Sequence, residues 1–160
     1  MTLADIGLIH SGLKGKSKAD FRDEGSPFVT YMDVFDDLAK FANGSGRVVI
    51  EKSERQFQIS RGDILFTGSS ESLEEVGTTS VVLHDPLEAT YLNSFCFAIR
   101  PTADVGLEPS YARHVLRSEN VRRQIIACGQ GVTRINISKS ALQKVVIPLP
   151  DMAEQARIAN

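Results

Sequence analysis

In the first third of the chain, short apolar runs alternate with Gly-rich and polar punctuation: IGLIHSG at 6–12, PFVTYM at 27–32 and, after the turn NGSG, RVVIE at 47–51. Runs of this length bounded by turn residues predict strands. Between the second and third, Asp33 to Phe41 is expected to form a short helix. The middle of the chain is richer still in β-branched and aromatic residues, in GDILFTG (62–68), TTSVVLH (78–84) and YLNSFCFAIRP (91–101). These predict neighbouring strands of one sheet.

Beyond Pro109 the period lengthens. Tyr111, Val115 and Leu116, then Val121, Ile125 and Ile126, recur at helical spacing with Arg113, Arg117, Arg122 and Arg123 between them. Two short amphipathic helices ending near Gly129 follow from that pattern. Ser138 is placed to cap a short helix through Leu142, and KVVIPLP (144–150) reads as a last strand closed by prolines.

The fold class is therefore α+β, a single compact domain of mixed sheet and short helices over residues 1–150. Residues 151–160 begin a further helix, with Asp151 after Pro150 as its cap and Glu154 three residues on as in a capping box. A helix this short is marginal alone because nucleation is costly, so a well-signalled start without a body suggests truncation or docking.

The 160 residues suit one domain with a sizeable core. Cys96 and Cys128 lie far apart within apolar runs, which fits reduced thiols and a cytoplasmic setting more than a disulfide framework. No apolar run approaches the roughly 20 residues that span a bilayer, and MTLADIG lacks the basic start and apolar stretch of a signal peptide. A soluble protein without a membrane partner is expected.

The net charge of −2 argues at first against a phosphate-bearing partner. Its distribution changes the picture: residues 62–99 hold six acids and no Lys or Arg, whereas residues 111–147 hold seven Lys and Arg against Glu119 alone. Such segregation either gives the folded domain one positive face or simply makes two differently charged solvated surfaces.

Motifs of catalysis do not assemble. Gly15-Lys16-Ser17 ends like a phosphate-cradling loop, but the glycine required five positions before Gly15 is His10. His10, His84 and His114 are isolated from one another and from the cysteines, so no metal-ligand spacing is present. The adjacent pairs Asp36-Asp37 and Glu74-Glu75 point in different directions in either helix or strand, and GSS at 68–70 lacks the frame of a nucleophile elbow. A non-catalytic protein is the expectation, and no metal.

Two segments concentrate polar reach on apolar anchors. FTGSSESLEEVG (66–77) offers the hydroxyls of Thr67, Ser69 and Ser70 to phosphates or base edges, while its glutamates either accept from a cytosine amino group or order the loop. GQGVTRINISKSAL (129–142) sets Gln130, Thr133, Arg134, Asn136 and Lys139 between Val132, Ile135 and Ile137. Arg reads guanine and Gln or Asn reads adenine, yet the same residue types serve as turn-formers and salt-bridge partners.

The stretch GQGVTRINISKSALQKVVIPLPDMAEQARIA (129–159) resembles the end of a target recognition domain and the start of the following spacer helix in type I restriction-modification specificity subunits. FRDEGSPFVTYMDVF (21–35), GDILFTGSSESLEEVG (62–77) and YLNSFCFAIRP (91–101) extend the resemblance to nearly the whole chain. It implies two such domains per subunit, each reading half of a bipartite site on double-stranded DNA. Methylation and cleavage would belong to the modification and restriction subunits, with S-adenosylmethionine held only by the former. The chain departs from the pattern in having one recognition domain, which leaves open a fragment or a half-subunit that pairs with itself across a two-fold axis.

On this reading Lys14, Lys16, Lys18 and Arg134 contact phosphates, and Thr67, Ser69, Ser70, Gln130, Thr133, Asn136 and Lys139 complete the DNA surface. Pro150, Glu154, Gln155 and Ile158 are the expected subunit interface. The alternatives are a protein-interaction or dimerisation module of the same complex centred on residues 147–159, with little DNA binding of its own, or the specificity subunit of a related methyltransferase-nuclease system.

Overall fold

A computed structural model describes all residues, Met1–Asn160. The helices are α1 (Leu3–Ile6), α2 (Tyr31–Phe35), α3 (Pro109–Arg117), α4 (Glu119–Ile126), α5 (Lys139–Leu142) and α6 (Met152–Ala159). The first five strands are β1 (Gly7–Ser11), β2 (Ser26–Val29), β3 (Gly46–Val48), β4 (Ile64–Thr67) and β5 (Ser69–Ser70). The others are β6 (Thr79–Val81), β7 (Tyr91–Leu92), β8 (Cys96–Pro101), β9 (Gly129–Gln130) and β10 (Ile135–Ile137). The class is α+β, as the sequence predicts.

The three apolar runs of the middle segment do become neighbours through β4, β6 and β8, although Tyr91–Leu92 at the start of the third run form β7 of a separate sheet. A four-stranded antiparallel sheet has the order β1-β8-β4-β6, with Ile64 opposite Ile99 and Leu65 opposite Ala98. Side chains alternate across a strand, so each run supplies both faces of the sheet. Ile64, Phe66, Phe97 and Ile99 face the apolar sides of α3 and α4 (Tyr111, Val115, Leu116, Val121, Ile125). Leu65, Cys96 and Ala98 face Val29, Val34, Ala39 and Ile59. Burial on both faces is why β4 reads as a continuous apolar run rather than an alternating one.

Two smaller sheets flank the central one. One has the order β3-β2-β7, with β2 and β7 parallel, around a minor core of Leu13, Phe28, Val48 and Tyr91. The other has the order β5-β10-β9 and is described with the candidate site.

Several local expectations change. The single helix over 33–41 is instead α2, capped by the Thr30 hydroxyl, and a separate 3-10 turn at Leu38–Phe41. Asp37 breaks them apart by adopting a left-handed conformation, φ 62°, in which its carboxylate reaches α3. The run 144–150 is not a strand of a sheet. Only Val146 bridges to Thr2, while Pro148 and Pro150 lack the N–H that a ladder needs. The Gln124 amide completes Val146, accepting from its N–H at 2.9 Å and donating to its carbonyl at 3.0 Å. Ser138 caps α5 as expected, through Ala141 N–H at 3.3 Å.

The basic stretch of 111–147 does not form one positive face. Arg113 pairs with Asp37, Arg117 donates to Thr79 O, and Arg122 donates to the carbonyls of Glu74, Val76 and Gly77. These three arginines tie loops to α3 and α4. Arg123 pairs with Glu119 one turn away. Both cysteines are free and buried, and burial pushes the Cys96 thiol up to about 12.

Candidate nucleic-acid interface

The second polar segment becomes β9 and the central strand β10 of the β5-β10-β9 sheet. In β10, Ile135 and Ile137 turn inward while Asn136 between them is exposed, the alternation that a half-buried strand requires. Asn136 lies opposite Ser69 on one side and Gln130 on the other. The hairpin between β9 and β10 needs Gly131: φ is 123°, and a Cβ there would sit 2.2 Å from the Arg134 carbonyl oxygen. Gln130, Thr133, Arg134 and Asn136 are all exposed on this hairpin, and Lys139 is exposed just beyond it.

Beside this sheet the turn Asn93–Cys96 projects an aromatic ring. Phe95 is 60% exposed although it lies within an apolar run. Its N–H donates to Asn93 Oδ1 at 2.8 Å, and its carbonyl accepts from Gly68 N–H at 2.8 Å. A Cβ at position 68 would approach that carbonyl to 2.7 Å, so the turn can close on β5 only over glycine. The Arg134 guanidinium lies 5.7 Å from the Phe95 ring centroid.

Two hollows meet at Ser11. One, of about 290 Å³, is lined by Ser69, Ser94, Phe95, Asn136 and Lys139 among others. Its neighbour, of about 250 Å³, is lined by His10, Lys14, Arg55, Gln56 and Phe57. Lys14 and Gln56 fix each other, since the Gln56 amide donates to Lys14 O at 2.8 Å and accepts from Lys14 N–H at 3.1 Å. Three cations, Lys14, Arg55 and Lys139, and no carboxylate line the pair of hollows. A cationic concavity with exposed amide and hydroxyl groups suits a polyanion whose edges carry donors and acceptors.

A family model described as "Type I restriction modification DNA specificity domain" matches residues 1–160. The chain belongs to the type I restriction-modification DNA specificity domain family. The type I restriction enzyme StySPI specificity subunit of Salmonella potsdam is 33% identical over 105 residues, which are 64% of this chain and 21% of that protein. Among solved structures, the HsdS subunit from Thermoanaerobacter tengcongensis is similar at TM-score 0.64 and 26% identity, over 99% of this chain and 34% of that one. The S subunit of the type I system from M. genitalium has TM-score 0.65 and 19% identity, over 100% of this chain and 36% of that one, and shows the shared fold. The chain thus spans about a third of the length of these solved relatives.

Within this specificity domain, several residues expected on the DNA surface hold the fold instead. The Lys16 side chain is only 6% exposed: its ammonium pairs with Glu54 and donates to Val49 O at 2.6 Å, so it faces inward. Thr67 is buried, its Oγ1 accepting from Thr78 N–H at 2.9 Å. Ser70 is buried too, with its Oγ accepting from Ser72 N–H. Ser69 is buried as a residue, but its Oγ meets Arg134 and it lines the larger of the two hollows. Lys18 is exposed at a 3-10 turn outside both hollows.

The expected subunit interface also divides. Gln155 is 1% exposed. Its amide accepts from Glu108 N–H at 2.9 Å and donates to Gly106 O and Pro150 O at 2.9 and 2.8 Å, which locks α6 onto the segment before α3. It is an internal fastener and offers nothing to a partner. Pro150 enters that lock through its carbonyl. Glu154 does not close a capping box; its carboxylate takes Arg157 at 2.7 Å, while Asp151 alone caps α6. Ile158 and Met152 remain exposed.

Sequence reasoning missed Arg55 and Phe95. Arg55 has no local signal, because nothing near it in sequence shows that it folds against Ser11. Phe95 carried one, the Asn-Ser pair before it, a turn signature inside the apolar run.

Proposed function

We propose that this domain reads DNA sequence for a type I restriction-modification complex, with residues 1–150 as the recognition domain and 151–160 as the start of a spacer helix. The observation that carries the reading is the β5-β10-β9 sheet, its exposed Gln130, Arg134 and Asn136 set beside two adjoining hollows that hold Lys14, Arg55 and Lys139 and no carboxylate. Lys14, Arg55 and Lys139 contact phosphates, while the sheet residues face base edges. The description of the family, DNA specificity, supports the same role.

On this reading the domain recognises one half of a bipartite double-stranded target and does no chemistry. Methyl transfer, with S-adenosylmethionine bound there, and cleavage belong to the modification and restriction subunits in the cytoplasm. A half-subunit pairing with itself would read a palindromic target. No helix of the chain is long and apolar enough to cross a membrane.

A second reading, a docking module for the modification subunit, is favoured by Met152 and Ile158, which stand exposed on α6. The two roles separate experimentally. Replacing Lys14, Arg55 and Lys139 together with Ala should lower the slope of log affinity against log salt by about three, roughly one for each phosphate no longer neutralised. Assembly with the modification subunit should persist. Replacing Met152 and Ile158 with Ser should do the reverse. DNA binding indifferent to the triple substitution refutes the interface proposed.

A further inference from the structure

Arg134 differs from almost every other arginine of the chain. Arg22, Arg47, Arg61, Arg100, Arg113, Arg117, Arg123 and Arg157 each meet a carboxylate, and Arg122 is held by three backbone carbonyls. Arg134 meets neither. Its Nε and Nη2 both donate to Ser69 Oγ, at 3.2 and 3.1 Å, and its guanidinium lies over the Phe95 ring.

The three parts come from three separate stretches: β5, the turn before β8 and the end of the β9–β10 hairpin. Each is fixed by its own backbone. Ser69 is paired with Asn136, Phe95 is clamped between Asn93 and Gly68, and Gly131 sets the hairpin. Arg134 is therefore held in orientation as well as in place.

That orientation decides what it can read. A guanidinium has five N–H groups, and Ser69 takes two of them along one side. The outer edge, formed by Nη1 and Nη2, keeps two parallel N–H groups and points away from Ser69. Two parallel donors on a fixed planar edge match the O6 and N7 acceptors of guanine in the major groove. A phosphate requires no such fixation, because a mobile cation serves as well.

We infer that Ser69, Arg134 and Phe95 form a guanine-reading clamp, in which Arg134 makes the base contact while Ser69 and Phe95 are positioning residues. The inference rests on the DNA-reading function proposed above and adds the base.

The test is selection from randomised duplexes by the specificity subunit that this chain forms or belongs to, assembled with its methyltransferase subunits. The wild type should select a motif with an invariant guanine. Arg134→Ala should lose discrimination at that one position by roughly 5- to 150-fold, leaving the other positions intact. Arg134→Lys, which keeps the charge but not the two-pronged edge, should behave as Arg134→Ala does.

Ser69→Ala and Phe95→Ala should relax the same position in part, and Phe95→Tyr should restore it. Arg134 and Phe95 are exposed, so their variants should melt near the wild type. An affinity lowered evenly over all sequences, with a salt slope smaller by about one, would make Arg134 a phosphate contact and overturn the clamp. Selection unchanged by Arg134→Ala would overturn it as well. A wild-type complex that selects no motif would instead refute the DNA-reading function itself.

Discussion

Arg113 donates from Nε to Asp37 Oδ2 at 2.7 Å across 76 positions of chain, and this pair ties the bend after α2 to helix α3. Asp37 also accepts from Ser80 Oγ at 3.2 Å, with Lys40 and Arg117 each at 3.9 Å. One carboxylate in a left-handed conformation thus joins the bend, β6 and α3.

Replacing Asp37 with Ala should cost about 3 kcal/mol, because it leaves partly buried cations without their counter-charge. Asp37→Asn should be less damaging than Asp37→Ala by about 1 kcal/mol, since Asn adopts positive φ at lower cost than Ala. Arg113→Ala should be milder than Asp37→Ala, as Lys40 and Arg117 still face the carboxylate. Urea unfolding of the three variants orders them.

The inward-facing Lys16 gives a pH signature. Its ammonium, and after it the Gln56 amide, holds the Glu54 carboxyl below the ordinary value of 4.5. A carboxyl depressed in the folded state means that the unfolded chain binds the proton more readily. The contribution is therefore present above about pH 4.5 and is lost as pH falls through the lower folded value. The stability gap between wild type and Lys16→Met should narrow from pH 6 to pH 3 in chemical unfolding. A constant gap would mean that Lys16 acts through packing alone.

The Gln155 amide predicts a local defect. Gln155→Ala removes the partners of Glu108 N–H, Gly106 O and Pro150 O, and leaving such groups unsatisfied should destabilise by about 1–3 kcal/mol. Amide hydrogen exchange should accelerate across α6 while the central strands stay protected. Uniform acceleration over the whole chain would show that α6 unfolds only with the rest.

The central strands were legible because burial on both faces leaves a plain mark, apolar runs such as ILF and CFAI with no polar position to interrupt them. Helices α3 and α4 were legible from their period. What escaped depends on contacts distant in sequence. Nothing near Asp37 shows that α3 will draw its carboxylate inward, and nothing near Val146 shows that the Gln124 amide will stand in for a neighbouring strand. Lys16 had the look of a phosphate contact until Glu54, 38 positions away, was placed beside it. The polar set of 130–136 was legible because it flanks Ile135 and Ile137, but the hairpin that presents it was not, and Val132, expected as a third anchor, is 97% exposed at its tip. Arg55 entered the same surface by tertiary folding alone.

Strand β10 keeps Ile135 and Ile137 in the core and leaves Asn136 outside, with Gln130 and Thr133 outside on the hairpin. If this hairpin reads DNA as proposed, a chain built this way can exchange one target for another with little disturbance. Mutations at 130, 133 and 136 alter what is presented to a partner yet never touch the packing that keeps the scaffold folded, so new preferences can accumulate while the fold stays as stable as before.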